Sequence, residues 1–144
     1  MKKLHVLYDA QSEFALRCYA WISAQSVFLP LEFVPFQAPE LIARFPGVEK
    51  FRENEPVLVV SDEGAVYAGP NAFLMCLHAL SDYQEWAIRL SAPALLPLAG
   101  RAFELFLVDG KKIARLMEKL DDGKLLWLLQ HQDSTSRAGQ PTTR

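Results

Sequence analysis

Two hydrophobic periods meet within the first twenty residues, and their order restricts what the chain can become. LHVLY, residues 4–8, is a short apolar run of strand length that ends at Asp9. From Ser12 onward, Phe14, Cys18, Trp21 and Ile22 recur at three- and four-residue spacing, which places them on one face of a helix. Ser12 is a residue type that caps helix N-termini, and Glu13 stands where a negative charge complements the helix dipole. A buried strand that runs straight into an amphipathic helix belongs to an α/β chain.

The pattern continues through the first half of the sequence. LEFVPF reads as a second strand, with Pro35 confined to its end or to a sheet edge. PELIARF reads as a short helix with Pro39 in its first turn, and GVEKFRENE as a charged loop. VLVV and AVYA flank SDEG as a hairpin, for which Asp62 and Gly64 supply the turn chemistry. GPNAFLMCLHAL then starts a helix at Pro70, with Phe73, Cys76, Leu77 and Leu80 on one stripe. The predicted order is strand, helix, strand, short helix, strand, strand, helix.

Beyond Leu80 only helical periods occur, near residues 83–90, 94–106, 111–120 and 124–132, divided by Pro93, Gly110 and Gly123. The expected organisation is an α/β unit over residues 1–81, a helical extension packed on it over 82–132, and a tail over 133–144. The tail is rich in Ser, Thr, Gly and Pro and reads as disordered.

Composition narrows the function classes. At 144 residues the chain can bury one substantial core, and its 51 % hydrophobic content predicts apolar surface left for a partner. LLWLL, residues 125–129, is apolar on nearly every face, so homo-oligomer formation through the C-terminal helices is one such expectation. A net charge of −2, with no stripe of Lys and Arg among aromatics, argues against nucleic acid. The most lipid-like stretch, IRLSAPALLPLAGRAFELFLV, is interrupted by Arg89, Arg101, Glu104 and two prolines, so no membrane span is expected. The N-terminal apolar run is too short for an export signal. With only two cysteines, this predicts a cytoplasmic protein with free thiols.

The order of elements, with EPVLVV opening the hairpin, resembles the thioredoxin fold: a four-stranded mixed sheet with flanking helices, here with an all-helical C-terminal extension. More narrowly, VLYDAQSEFALRCYAWI, DEGAVYAGPNAFLMCLHAL and PLAGRAFELFLVDGKKIARLM resemble successive parts of the DCC-type thiol-disulfide oxidoreductases, over roughly residues 4 to 118. That resemblance implies a cysteine pair at the positions of Ser12 and Ala15, beside Asp9. Thiol-disulfide exchange requires one thiolate to attack and a second thiol to resolve the mixed disulfide. A hydroxyl and a methyl do neither. The resemblance also implies a cis bond between Glu55 and Pro56, and a ligand groove formed by Asp9, Ser12, Glu55 and Pro56, where the Glu55 backbone pairs with an extended peptide.

Other sources of chemistry are weaker. Cys18 is the remaining candidate for a reactive thiol, but it lies on the apolar stripe beyond the helix start, as Cys76 does on the later helix; both read as core residues. A disulfide between them is conceivable, yet a reducing compartment opposes it. SEFALRC is also similar to the Ser-x-x-x-x-Arg opening of serine glutathione transferases. Those enzymes hold glutathione with a Glu-Ser pair where this chain has Gly69 and Pro70, which offer no side-chain hydroxyl. His5, His78 and His131 sit in separate elements, so no metal site is expected, and no cofactor is implied. Asp9 reads as a strand-end residue without the partners of a general base. The resulting expectation is a redox-inactive, thioredoxin-like protein that binds a protein or peptide partner or serves in assembly. The alternative is an oxidoreductase or glutathione-transferase-like enzyme acting through Cys18 or Ser12.

Overall fold

The first strand becomes an inner strand of a four-stranded mixed sheet. In the computed structural model, which describes residues 1–131, β1 (Leu4–Tyr8) lies between β2 (Leu31–Pro35) and β3 (Val57–Ser61), and β4 (Val66–Tyr67) completes the order β2-β1-β3-β4. β1 runs parallel to β2 and antiparallel to β3, and β3 is antiparallel to β4. Helix α1 (Glu13–Ser23) makes the crossover from β1 to β2, as a parallel pair requires. Two short helices, α2 (Leu41–Arg44) and α3 (Glu49–Arg52), lead into β3, and α4 (Pro70–Ala79) follows the hairpin. The chain is therefore an α/β protein with the thioredoxin-like arrangement of sheet and flanking helices. The expected 133–144 tail, and Gln132 of the last predicted helix, lie outside the described residues.

Alternation along the strands splits the interior into two cores, because successive side chains leave a strand on opposite faces. Leu7, Val34, Leu58 and Val60 pack beneath Leu41, Phe45 and Val48 of the short helices and their connections. Leu4, Val6, Val57 and Val59 face the other way, onto α1 and α4. That second core also holds the extension: α5 (Gln84–Leu90), a 3₁₀ turn (Leu96–Leu98), α6 (Ala99–Glu118) and α7 (Asp122–Gln130). Phe103 and Phe106 of α6 are completely buried in it; burying one such side chain contributes roughly 2–3 kcal/mol. Near the start of β2, a bridge between Val27 and Leu80 ties the end of α4 to the β2 edge.

Arg89, near the end of α5, holds the turn between the last two helices. Its guanidinium donates to the carbonyls of Met117 and Leu120 and, at 2.9 Å, to Asp122 Oδ1, while it lies 5.1 Å over the Trp86 ring. These carbonyls lie at and just past the end of α6, where helical partners run out. Asp121 caps the following helix by accepting from the Lys124 N–H at 2.8 Å.

Three local expectations need correction. The charged loop GVEKFRENE contains α3. The second hairpin strand is only two residues long. The helix expected from near residue 94 begins at Ala99, because Pro97 sits in a preceding 3₁₀ turn. The division expected at Gly110 falls one residue earlier: Asp109 is non-helical (φ −162°, ψ 85°), and α6 is two helical stretches that meet there at a kink. The glycine also answers a packing demand. A Cβ there would lie 2.5 Å from Tyr83 Oη and 3.0 Å from Trp21 Cζ2. Among the described residues no helix is long and apolar enough to cross a membrane.

Candidate functional site

At the start of α1, Ser12 is extended (φ −93°, ψ 121°) and its Oγ accepts the Ala15 N–H at 3.2 Å. A cap of this kind stabilises a helix by about 1 kcal/mol. The side chain at position 15 is fully buried beneath the helix. The two positions where the resemblance places sulfur therefore hold a capping hydroxyl and a core methyl.

Asp9 is committed to holding the loop. Its Oδ1 accepts the Gln11 N–H and the Gln37 side-chain amide, both at 2.9 Å, while Gln37 Oε1 accepts the Ala10 N–H at 3.1 Å. Gln37, just past β2, is thus the latch of the β1–α1 turn. Sequence reading missed it because nothing local marks a glutamine 28 residues away as a partner of Asp9.

The Asp9 N–H also donates to Pro56 O at 2.9 Å, which extends the β1–β3 ladder by one step. The structure brings Asp9 and Pro56 together in this way. It corrects the expected cis bond before Pro56: no cis peptide occurs among the described residues, so the Glu55–Pro56 bond is trans. Trans is the intrinsically preferred form by roughly 0.5–1 kcal/mol, and here the Pro56 carbonyl already continues the antiparallel ladder in that form. Glu55 approaches Gly69 instead; a Cβ on Gly69 would lie 3.9 Å from its Oε2. Gly69 has φ +60° and ψ −138°, a conformation open essentially to glycine alone, and it turns the chain into Pro70 and α4.

A groove of about 390 Å³ opens where α1, α4 and α6 meet, and none of Asp9, Ser12, Glu55 or Pro56 lines it. Its walls come from Phe14 of α1, Pro70 and Phe73 of α4, Pro97 of the 3₁₀ turn, and Gly100 and Arg101 of α6. Phe14 and Phe73 meet edge to face at 5.9 Å, and a Cβ on Gly100 would come within 3.3 Å of the Phe73 ring. Glycine at position 100 therefore lets α6 close onto the Phe73 ring. Arg101 donates to the carbonyls of Leu129 and Gln130, both at 3.1 Å, so it also fixes the end of α7. Phe14 and Phe73 were legible as apolar stripes, but only the tertiary fold shows that they flank an opening.

Neither thiol reaches that opening in a reactive form. Cys18 is 2 % exposed and Cys76 fully buried, and both are free. Burial pushes the Cys18 thiol up to about 12 and raises that of Cys76 further from neutrality. At neutral pH both stay protonated, so neither offers the thiolate that attacks a disulfide.

The histidines remain apart. His5 lies beside Glu32 at 3.6 Å, His78 is on α4, and His131 stacks on Trp127 with ring centroids 4.2 Å apart. Among the described residues no three His, Cys, Asp or Glu side chains converge as metal ligands would. No known protein family, no curated protein and no solved structure matches the chain.

Proposed function

We propose that this chain is a thioredoxin-like relative of the DCC-type oxidoreductases that has lost thiol chemistry and binds an extended apolar segment of a partner protein. The groove between α1, α4 and α6 is the binding surface in this reading. The observation that carries it is the pairing of a capping Ser12 with a buried Ala15, while both cysteines lie inside the core. Aromatic and proline walls favour an apolar side chain, and Arg101 and Glu104 at the rim would orient its polar backbone. Trp127 and Leu116, 60 % and 53 % exposed, give the C-terminal helices an apolar surface that supports the assembly version of the same reading.

Two measurements test it. A small aromatic disulfide added to native protein should label neither cysteine, and denaturant should release both; rapid labelling of either thiol would restore the enzymatic alternative. Apolar peptides selected from a random display library should bind the native chain and lose at least tenfold in affinity to Phe14→Arg. Peptides that bind both forms equally would remove the groove from the proposal.

A further inference from the structure

The hydrogen-bonding phase of β2 decides which of its backbone groups face away from the sheet. At the two ends of the β1–β2 pair, Leu4 N–H donates to Pro30 O at 3.0 Å and Phe36 N–H donates to Tyr8 O at 2.7 Å. The parallel register sets Leu4 beside Leu31 and Tyr8 beside Pro35. Backbone groups alternate between the two sides of a strand, so residues 30, 32, 34 and 36 serve β1. Leu31 and Phe33 turn their N–H and C=O groups outward. Because β2 is the edge of the sheet, these four groups meet no strand among the described residues.

This open window is closed at both ends. Leu29 N–H is taken by Ala79 O at 3.2 Å. Pro35 has no N–H, and its carbonyl accepts from Ala38 N–H at 3.0 Å. What remains is two residues wide and centred on Glu32. An antiparallel ladder forms its hydrogen-bonded pairs at every second residue. A second β2, turned about a two-fold axis at Glu32, therefore sets Leu31 against Phe33 and Phe33 against Leu31, with four N–H···O bonds. The window fits its own copy.

The side chains agree with that pairing. On the α1 face, half-buried Phe33 packs against Tyr19 with centroids 4.8 Å apart, and Phe28, just before the strand, is 71 % exposed. On the opposite face Glu32 stands at the axis. It is held by Lys3 Nζ at 2.8 Å and by both terminal nitrogens of Arg44 at 2.9 and 3.2 Å. The two carboxylates would therefore meet with each already paired to cations of its own chain, which offsets their mutual repulsion. Edges are commonly blunted by Pro or Lys; Pro35 ends this one, but neither type occurs between Leu31 and Val34.

We infer that β2 pairs antiparallel with β2 of a second copy of this chain, joining two four-stranded sheets into one of eight strands. The inference stands apart from the groove reading. Its test is the mass in solution together with amide exchange. Sedimentation across the micromolar to millimolar range should show the 16.2 kDa chain doubling in mass, and the Leu31 and Phe33 amides should become slower to exchange as it does. Leu31→Lys, which puts a charge on each side of the axis, should sediment as a monomer with native circular dichroism. Leu31→Pro, which removes an outward N–H without adding a charge, should do the same, so that misfolding of either variant leaves the other decisive. A chain that stays monomeric throughout would overturn the inference. So would a dimer that survives Leu31→Lys or leaves both amides in fast exchange, and so would edge amides protected only by an added peptide.

Discussion

Replacing Gly110 with alanine adds a single methyl at the tightest approach between α6 and the rest of the core. The new carbon would lie 2.5 Å from Tyr83 Oη and 3.0 and 3.2 Å from Trp21 Cζ2 and Nε1. Ordinary contact begins near 3.4 Å, so the hydroxyl would have to withdraw about 0.9 Å. It has little room. Tyr83 is 3 % exposed and its ring lies 5.4 Å from that of Phe106, while Trp21 is wedged between Tyr83 and Phe103 at 5.1 and 5.4 Å. Overpacking a close-packed interior costs about 1–3 kcal/mol, and the better helix propensity of alanine returns at most about 1 kcal/mol. The expected net loss is about 1–2 kcal/mol, which for a chain of this size lowers the melting temperature by roughly 3–6 °C. The assay is thermal and urea unfolding of four proteins: wild type, Gly110→Ala, Tyr83→Phe and the double variant. Removing the hydroxyl should recover at least half of the loss, a coupling of about 1 kcal/mol. Strictly additive effects would refute the reasoning, because the clash would then lie elsewhere.

Three further outcomes follow from the geometry. Arg89→Ala should cost about 2–3 kcal/mol in equilibrium unfolding, since it strips partners from two helix-end carbonyls and from Asp122, and uncovers Trp86; Arg89→Lys should recover less than half. Glu32 is held down to about 2 by hydrogen bonds from Arg44 and Lys3, so its stabilisation is fully present above about pH 4.5 and disappears as pH falls toward 2. Glu32→Gln should accordingly lose about 1 kcal/mol at pH 7, a figure reduced for its one-third exposure, and nothing near pH 2 in acid titrations of stability. The double variant Ser12→Cys with Ala15→Cys, three residues apart on one helical turn, should form a disulfide under mild oxidant, seen as a 2 Da mass loss; that loss is about the mass of the two thiol hydrogens. A folded variant that stays reduced would show that these positions do not correspond to a lost dithiol.

Much of the fold was legible because its signals are local. The strand at LHVLY, the Ser12 cap and the stripe through Cys18 and Ile22 each depend on residues within a turn or a pleat of one another. The misreadings came from longer range. Gly110 marks the kink beside it at Asp109 locally, but only the fold shows that Tyr83 and Trp21, 27 and 89 residues earlier, also require its missing Cβ. GVEKFRENE has no strong apolar period, yet α3 forms there because Val48 at its start sits in the smaller core. The expected groove residues illustrate the same limit. Asp9 and Pro56 do meet, through backbone, but the open surface formed where α6 crosses α1 and α4, and helix crossing leaves no local mark in sequence.

One core runs without interruption from the sheet into the last two helices, and that continuity makes residue 81 a poor place to cut. Leu77, Leu80 and Phe73 bury their side chains among residues contributed from both sides of it, including Trp86, Phe103, Phe106 and Leu129. A fragment trimmed there would carry its own adhesive surface into water. The thioredoxin-like half is therefore no detachable cassette: the later helices supply the second wall of its interior, and the groove itself is walled by residues from both halves.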